Sequence, residues 1–253
     1  MSTQAVQTKT EQAIVPLRQA IEDGISRNWQ SLIAAVSGDE AKAKRYQTLL
    51  ITAVARNPKL AECDPGSLVL STIEAAQLDL EFGAKKHGYL IPYKDKASGT
   101  IQCSFRPGYL GLAHAAKRSG AVKEVRAEVV CEKDEFQYEL GASKRINFHR
   151  PATSDRGKFA CVYAVAIFPD GSYDFEVLSP DQIESAKKRS ATSGADTPWQ
   201  TDFEEMAKKT AIRKLCKRLP MDDKAADAME LDGRYEIEAT PAPAMQMPKE
   251  ITQ

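Results

Sequence analysis

Residues 88–106 read GYLIPYKDKASGTIQCSFR: two short runs rich in Tyr, Ile and Phe, 88–93 and 100–106, joined by KDKASG. Aromatic and β-branched residues favour extended backbone, and a polar, Gly-containing link between two such runs is the signature of a β-hairpin. The tip of this hairpin carries Lys94 and Lys96. On the N-terminal side the period is helical. Asp39 or Gly38 can cap a helix running to about Asn57, with Tyr46, Leu49, Leu50, Ala53 and Val54 as its apolar stripe and Pro58 as its stop. Pro65 to Leu80 reads as a second helix, with Val69, Ile73, Ala76 and Leu80 on one side and Gly83 ending it. Further upstream Ile14, Leu17 and Ile21 have helical spacing, with Pro16 in a first-turn position. Residues 1–12 are polar and are expected to be unstructured.

On the C-terminal side Pro107 and Gly108 break the hairpin, and a helix follows from about Tyr109 to Ser119, stopped at Gly120. Strands are expected at 122–130, 135–140 and 144–149. A second hairpin, 158–168 with 172–178, crosses the turn Pro169, Asp170, Gly171. Ser179 then caps a helix that carries Lys187, Lys188 and Arg189. After Pro220 the periodicity lapses, and the proline-rich PAPAMQMPKE lacks core formers. The chain therefore divides into an N-terminal arm or helix (1–38), a core (39–220) and a flexible acidic, Pro-rich tail (221–253).

Trp199 to Leu219, WQTDFEEMAKKTAIRKLCKRL, has no acidic residue after Glu205 and six cationic ones. At about 100° per residue Ile212, Leu215, Cys216 and Leu219 share one face, and Arg213, Lys214, Lys217 and Arg218 the other. The expectation is a docked helix with a cationic outer surface. Acidic residues in the first turn and cations in the last also suit the helix macrodipole, and a charged face is usually a solvated one, so this helix alone leaves both readings open.

The 253 residues are 42% hydrophobic and 28% charged, a composition that can bury a core, and the net charge is zero. No apolar run is long enough for a spanning helix, and the polar start lacks the core of a secretory signal, so the chain is expected in the cytoplasm without membrane contact. Five scattered cysteines and three dispersed histidines offer no metal-ligand cluster. The charge is unevenly spread. Between Lys85 and Arg126 nine cations face only Asp95 and Glu124, whereas between Asp222 and Glu238 seven carboxylates face Lys224 and Arg234.

No G-x-x-x-x-G-K-[ST], G-x-G-x-x-G or G-x-S-x-G motif is present. Pairs such as Asp134 with Glu135 are too commonplace to mark a metal-dependent nuclease, and His114 lies in an apolar helix where a satisfied histidine is the ordinary case. Binding without turnover is the expectation. Single-stranded nucleic acid is held by cations along the phosphates and flat surfaces under the bases. The basic segments bring Tyr89, Tyr93, Phe105, Tyr109 and Trp199 near in sequence, but sheet aromatics are more often core, so none is assigned to a base. Two other classes stay open: a structural or adaptor oligomer whose cations serve subunit contacts, and a nuclease.

GYLGLAHAAKRSG (108–120), KDEFQYELG (133–141) and PWQTDFEEMAKKTAIRKLCKRLP (198–220), with QLDLEFG and HGYLIPY, resemble the RecT family of phage and prophage single-strand annealing proteins. The likeness covers about residues 45–220. It implies an α+β fold: a curved antiparallel sheet with hairpins, flanked by helices, similar to the core of eukaryotic annealing proteins. It also implies ATP-independent pairing of complementary DNA strands by an oligomeric ring or filament in a bacterial host. No cofactor would be required beyond a non-specific dependence of DNA binding on Mg2+, and a phage exonuclease and the host single-strand binding protein are the expected partners. Lys208, Lys209, Arg213 and Lys214 match the family's cationic final helix, and Lys117 and Arg118 the cations before its Ser-Gly stop. With Lys217, Lys187, Lys188, Arg189, Lys94 and Lys96 they form the expected DNA-binding set. The chain departs from the family at Leu110, where members commonly carry Lys or Arg, and Arg106 just upstream is the candidate substitute.

Overall fold

Asp39, Asp64 and Ser179 each fix the first turn of a helix. Asp39 accepts from the Lys42 N–H at 2.9 Å and starts α3 (Glu40–Arg56); Asp64 accepts from the Ser67 N–H at 2.8 Å and starts α4 (Pro65–Gln77). Ser179 and Gln182 form a reciprocal capping box at α6 (Pro180–Lys188). These elements belong to a computed structural model that describes residues 17–141, 143–189 and 197–237. Ahead of α3 come α1 (residues 17–27) and α2 (Trp29–Ala35). Between α4 and α6 lie β1 (Gly88–Lys94), β2 (Ile101–Pro107), α5 (Tyr109–Arg118), β3 (Glu124–Cys131), β4 (Glu135–Glu139), β5 (Arg145–His149), β6 (Phe159–Ile167) and β7 (Tyr173–Leu178). Helices α7 (Pro198–Thr201), α8 (Phe203–Cys216) and α9 (Asp223–Ile237) complete the order.

The fold is α+β and every pairing between these seven strands is antiparallel. The strands are distributed over three hydrogen-bonded sheets rather than joined in one: β1-β2, β3-β6-β7 and β4-β5. Side-chain alternation sorts the central sheet into two faces. Val162, Ala164 and Ala166 are buried in the core that also holds Ala211, Ile212 and Leu215 of α8. On the opposite face Tyr163 stacks on Phe136 at 5.4 Å and Phe175 meets Tyr138 edge-on, which seats the β4-β5 ribbon as an outer layer.

The β1-β2 ribbon leans on α4. The Ser71 hydroxyl donates to the Cys103 carbonyl at 3.0 Å, and the Cys103 N–H donates to Ser67 Oγ at 2.9 Å. Its other anchor explains the glycines of GYLG: a Cβ at Gly111 would lie 1.9 Å from the His87 carbonyl oxygen, so only glycine lets α5 approach the start of β1. His87 stacks on His114 there, ring centroids 4.3 Å apart.

Three expectations are corrected. Helix α4 ends at Gln77 rather than Leu80, because Asp79 turns left-handed (φ 55°) and the Leu80 N–H reaches back to Ala75, a Schellman-type ending. The final basic helix is broken at Asp202 into α7 and α8. The segment after Pro220 is not a flexible tail from its start: α9 packs on α5 and β2, burying Ala225, Ala228 and Leu231. Its small apolar residues suffice because the neighbouring helix comes close. Residues 1–16 and 238–253, with the expected polar arm and Pro-rich end, lie outside the described residues. Residues before 38 share the main core through Ile21, Ile25, Leu32 and Val36.

Candidate nucleic-acid interface

The basic face of α8 is divided by what packs on its flanks. Lys209 and Arg213 border one edge of the apolar arc, where Asp232 and Gly233 of α9 reach them, and Lys214 and Arg218 border the other, above β7. Asp232 of α9 lies 3.0 Å from Lys209 Nζ and 3.0 Å from Arg213 Nε. Arg213 is only 8% exposed and Asp232 5%, so this is a buried ion cluster. The Arg213 contact is electrostatic rather than a well-directed hydrogen bond. Burial lowers the proton affinity of the Arg213 guanidinium, and Asp232 works against that shift. The expectation that Arg213 belongs to the outer surface is therefore corrected. A helical wheel shows the side of a residue but not that a second helix will cover it.

On the other edge Lys214 Nζ reaches Glu176 at 2.7 Å, and Arg218 joins the same carboxylate, Asp174 and the Phe175 carbonyl. Burial raises the Glu176 carboxyl, but hydrogen bonds from Lys214 and Arg218 outweigh it and hold the group below its usual range. Only Lys217, in the middle of the outward arc, is exposed with no ion pair among the described residues. Lys208, nearer the start of α8, pairs with Glu205 at 2.9 Å.

Arg118 is also committed internally. It donates to the Leu78 carbonyl at 2.9 Å and lies 3.7 Å from Asp79 and 3.5 Å from Asp222. It thus ties α5 to the end of α4 and to the residues leading into α9. Beside it, Glu81 is buried, which raises its carboxyl, but hydrogen bonds from Arg45 and Lys85 bring it down to about 2.

Most of the remaining candidates face solvent. Lys94 and Lys96 on the β1-β2 turn, Lys117 on α5, and Lys188 and Arg189 at the end of α6 are exposed, with no ion pair among the described residues. Lys187 has a loose contact with Glu184 at 3.7 Å. Arg106 is half-buried on β2. The turn that carries Lys94 and Lys96 is built by Asp95, which accepts from the Ser98 N–H at 2.9 Å, while Gly99 adopts a left-handed φ of 71°. Sequence reasoning did not select Lys86, exposed and left-handed (φ 52°) ahead of β1, nor Lys123, close enough to Lys117 for both to lower the Glu124 carboxyl alongside Arg126. Their signal was the long basic stretch itself.

Of the aromatics near these cations, Phe105 and Trp199 are core, Tyr109 is half-buried, and Tyr89 and Tyr93 are 48% and 44% exposed. Among the described residues no group of three or more His, Cys, Asp or Glu could hold a metal ion, and no helix is long and apolar enough to cross a membrane. The site offers phosphate-binding charge and aromatic faces.

Comparison with known proteins gives this arrangement a context. The sequence model of the RecT family matches residues 44–243, a span that includes α9. Protein RecT of Escherichia coli (strain K12) is 37% identical over 213 residues, covering 83% of this chain and 78% of the relative. The uncharacterized protein YqaK of Bacillus subtilis (strain 168) is 25% identical over 175 residues, covering 68% of this chain and 57% of the relative.

Proposed function

The chain belongs to the RecT family of recombination proteins, and from that membership and its solvent-facing cations we propose that it binds single-stranded DNA and anneals complementary strands without ATP. The observation that carries the proposal is the division of the basic residues. Lys94, Lys96, Lys117, Lys188, Arg189 and Lys217 are left without carboxylate partners among the described residues, while the cations that hold the fold together have theirs. Unpaired surface cations are available to neutralise phosphates, and the release of condensed counterions drives that binding.

Lys187 and Lys208 form a second tier, exchanging the exposed carboxylates of Glu184 and Glu205 for phosphates at little cost, since surface ion pairs are worth about 0–1 kcal/mol, and exposed Lys214 joins them because Glu176 keeps Arg218 as its other partner. Arg118, Lys209 and Arg213 shape the surface without leaving their internal partners. Neighbouring protomers extend the path in a ring or filament. Base pairing supplies the free energy of the product, so no hydrolysis step is involved.

The test is a fluorescence annealing assay with complementary oligonucleotides in the absence of ATP, with binding of one strand followed against salt. About six phosphate contacts per protomer, each contributing a slope of roughly −0.7, give a loss of about 300-fold in affinity from about 50 to 200 mM salt. Salt-independent binding, or annealing only when nucleotide is added, contradicts the reading.

A further inference from the structure

The β1-β2 ribbon has two unlike faces. Inward, Leu90, Cys103 and Phe105 are buried against α4, and a Cβ at Gly88 would fall 2.3 Å from the Phe105 ring. Outward, alternation along β1 presents Tyr89, Ile91 and Tyr93, and the register places Arg106, Ser104 and Gln102 directly opposite them on β2. Among the described residues no strand or helix covers the two tyrosines, which remain nearly half exposed, although Ser104 in the opposite row is buried. In a water-soluble chain an exposed pair of aromatic rings on one strand face calls for an occupant.

Three features of this face fit a nucleic-acid strand better than a protein surface. Cations surround the rings: Arg106 across from Tyr89, Lys86 just ahead of the strand, and Lys94 and Lys96 on the turn beyond Tyr93, the three lysines without ion pairs among the described residues. Glu205, the carboxylate nearest Tyr89 in its electrostatic effect, is held by Lys208 at 2.9 Å. The ring of Tyr89 is braced, because a Cβ at Gly108 would lie 3.1 Å from its Cε2 atom, so little motion is lost when a base settles on it.

We propose that the outward face of the β1-β2 ribbon is the nucleobase-stacking platform of the single-strand site, Tyr89 and Tyr93 each receiving one base and Arg106, Lys94 and Lys96 the adjoining phosphates. This rests on the single-strand reading above and adds where the bases go. Tyr89 and Tyr93 are four residues apart, about 13 Å along the strand, while stacked bases repeat every ~3.4 Å. The two rings therefore hold separate bases rather than neighbours of one stack. Stacking uses the flat faces of the bases and leaves their pairing edges open to a second strand.

The full-length protein and its Tyr89→Ala/Tyr93→Ala and Tyr89→Phe/Tyr93→Phe variants are titrated with an oligothymidylate and with an abasic oligodeoxyribose phosphate of equal length. The parent protein is expected to prefer the base-containing strand, by roughly 5- to 100-fold for each stacked ring. The Ala variant should lose that preference with its salt slope unchanged, since no phosphate contact has been removed, and the Phe variant should keep it. Photo-crosslinking of the parent protein to an iodouracil-substituted strand should label Tyr89 or Tyr93, a result independent of how the variants fold. Retention of the preference in the Ala variant, or labelling confined to other segments, overturns the platform. A change in the Ala variant's state of association without DNA overturns it in favour of a contact between copies of the chain. If the parent protein binds neither strand, the annealing reading fails first and the platform with it; equal binding of both strands by the parent removes the platform alone.

Discussion

Helix α8 and the β1-β2 turn are both rich in lysine and arginine, but on the inner flank of α8 the cations meet a buried carboxylate, whereas on the turn Lys94 and Lys96 meet water. A guanidinium at 8% exposure cannot give up Asp232 for a phosphate without leaving a charge stranded in a poorly solvated place. A lysine on an exposed turn has no such commitment. The two regions show that positive charge serves two ends in one protein, binding α9 to the body and presenting a surface to a polyanion, and that burial decides which.

The sharpest way to break this contrast is Asp232→Ala. It removes the carboxylate that Lys209 and Arg213 share at a buried site and should destabilise the fold by about 3–5 kcal/mol in urea denaturation. A loss below ~1 kcal/mol would mean that α9 is not an integral part of the fold. Second in size, Lys94→Ala/Lys96→Ala should weaken single-strand binding by about 5-fold per lysine near 0.1 M salt while unfolding as the parent does. A drop in stability would place these side chains in the structural class instead.

The seam between ribbon and body supplies a third probe. Burial, the neighbouring His114 and Lys85 hold the His87 imidazole down at about 4. The folded state therefore keeps His87 neutral where the unfolded chain, titrating near about 6.5, takes up a proton. Stability should be complete above that value and decline as pH falls toward about 4, by on the order of 1 kcal/mol after allowance for partial exposure. Thermal melts across that interval should show the decline, and a flat profile would contradict a neutral His87 in the fold. The smallest effect belongs to Lys214→Ala, since Lys214 is half exposed and Glu176 keeps Arg218 as a partner, and it should be worth about 0.2–1 kcal/mol by melting.

Much of this organisation was legible from residues with strong local preferences. Asp39 and Ser179 as caps, Gly120 as a stop, the Pro169 to Gly171 turn and the KDKASG link all act over a few residues, and the elements they bound lie within about three residues of expectation. The grouping of strands into three sheets depends on long-range pairing that no local pattern encodes. Helix α9 was missed because its stripe is Ala225, Ala228 and Leu231 within an acidic stretch, which looks like a solvated tail. Its start did carry a signal, Asp222 accepting from the Ala225 N–H at 2.7 Å. Missing α9 also misplaced Arg213, since the helix that buries it was absent from the picture. The solvent-facing cations were legible because turns and helix ends are exposed wherever the body lies.

The most direct measurement is the slope of single-strand binding against salt for the parent protein and for Lys94→Ala/Lys96→Ala. A parent slope of about −4, made shallower by about 1.4 when the two lysines are removed, is the predicted result. A parent slope near zero, or a variant slope as steep as the parent's, would contradict the assignment of the unpaired surface cations to the phosphate path.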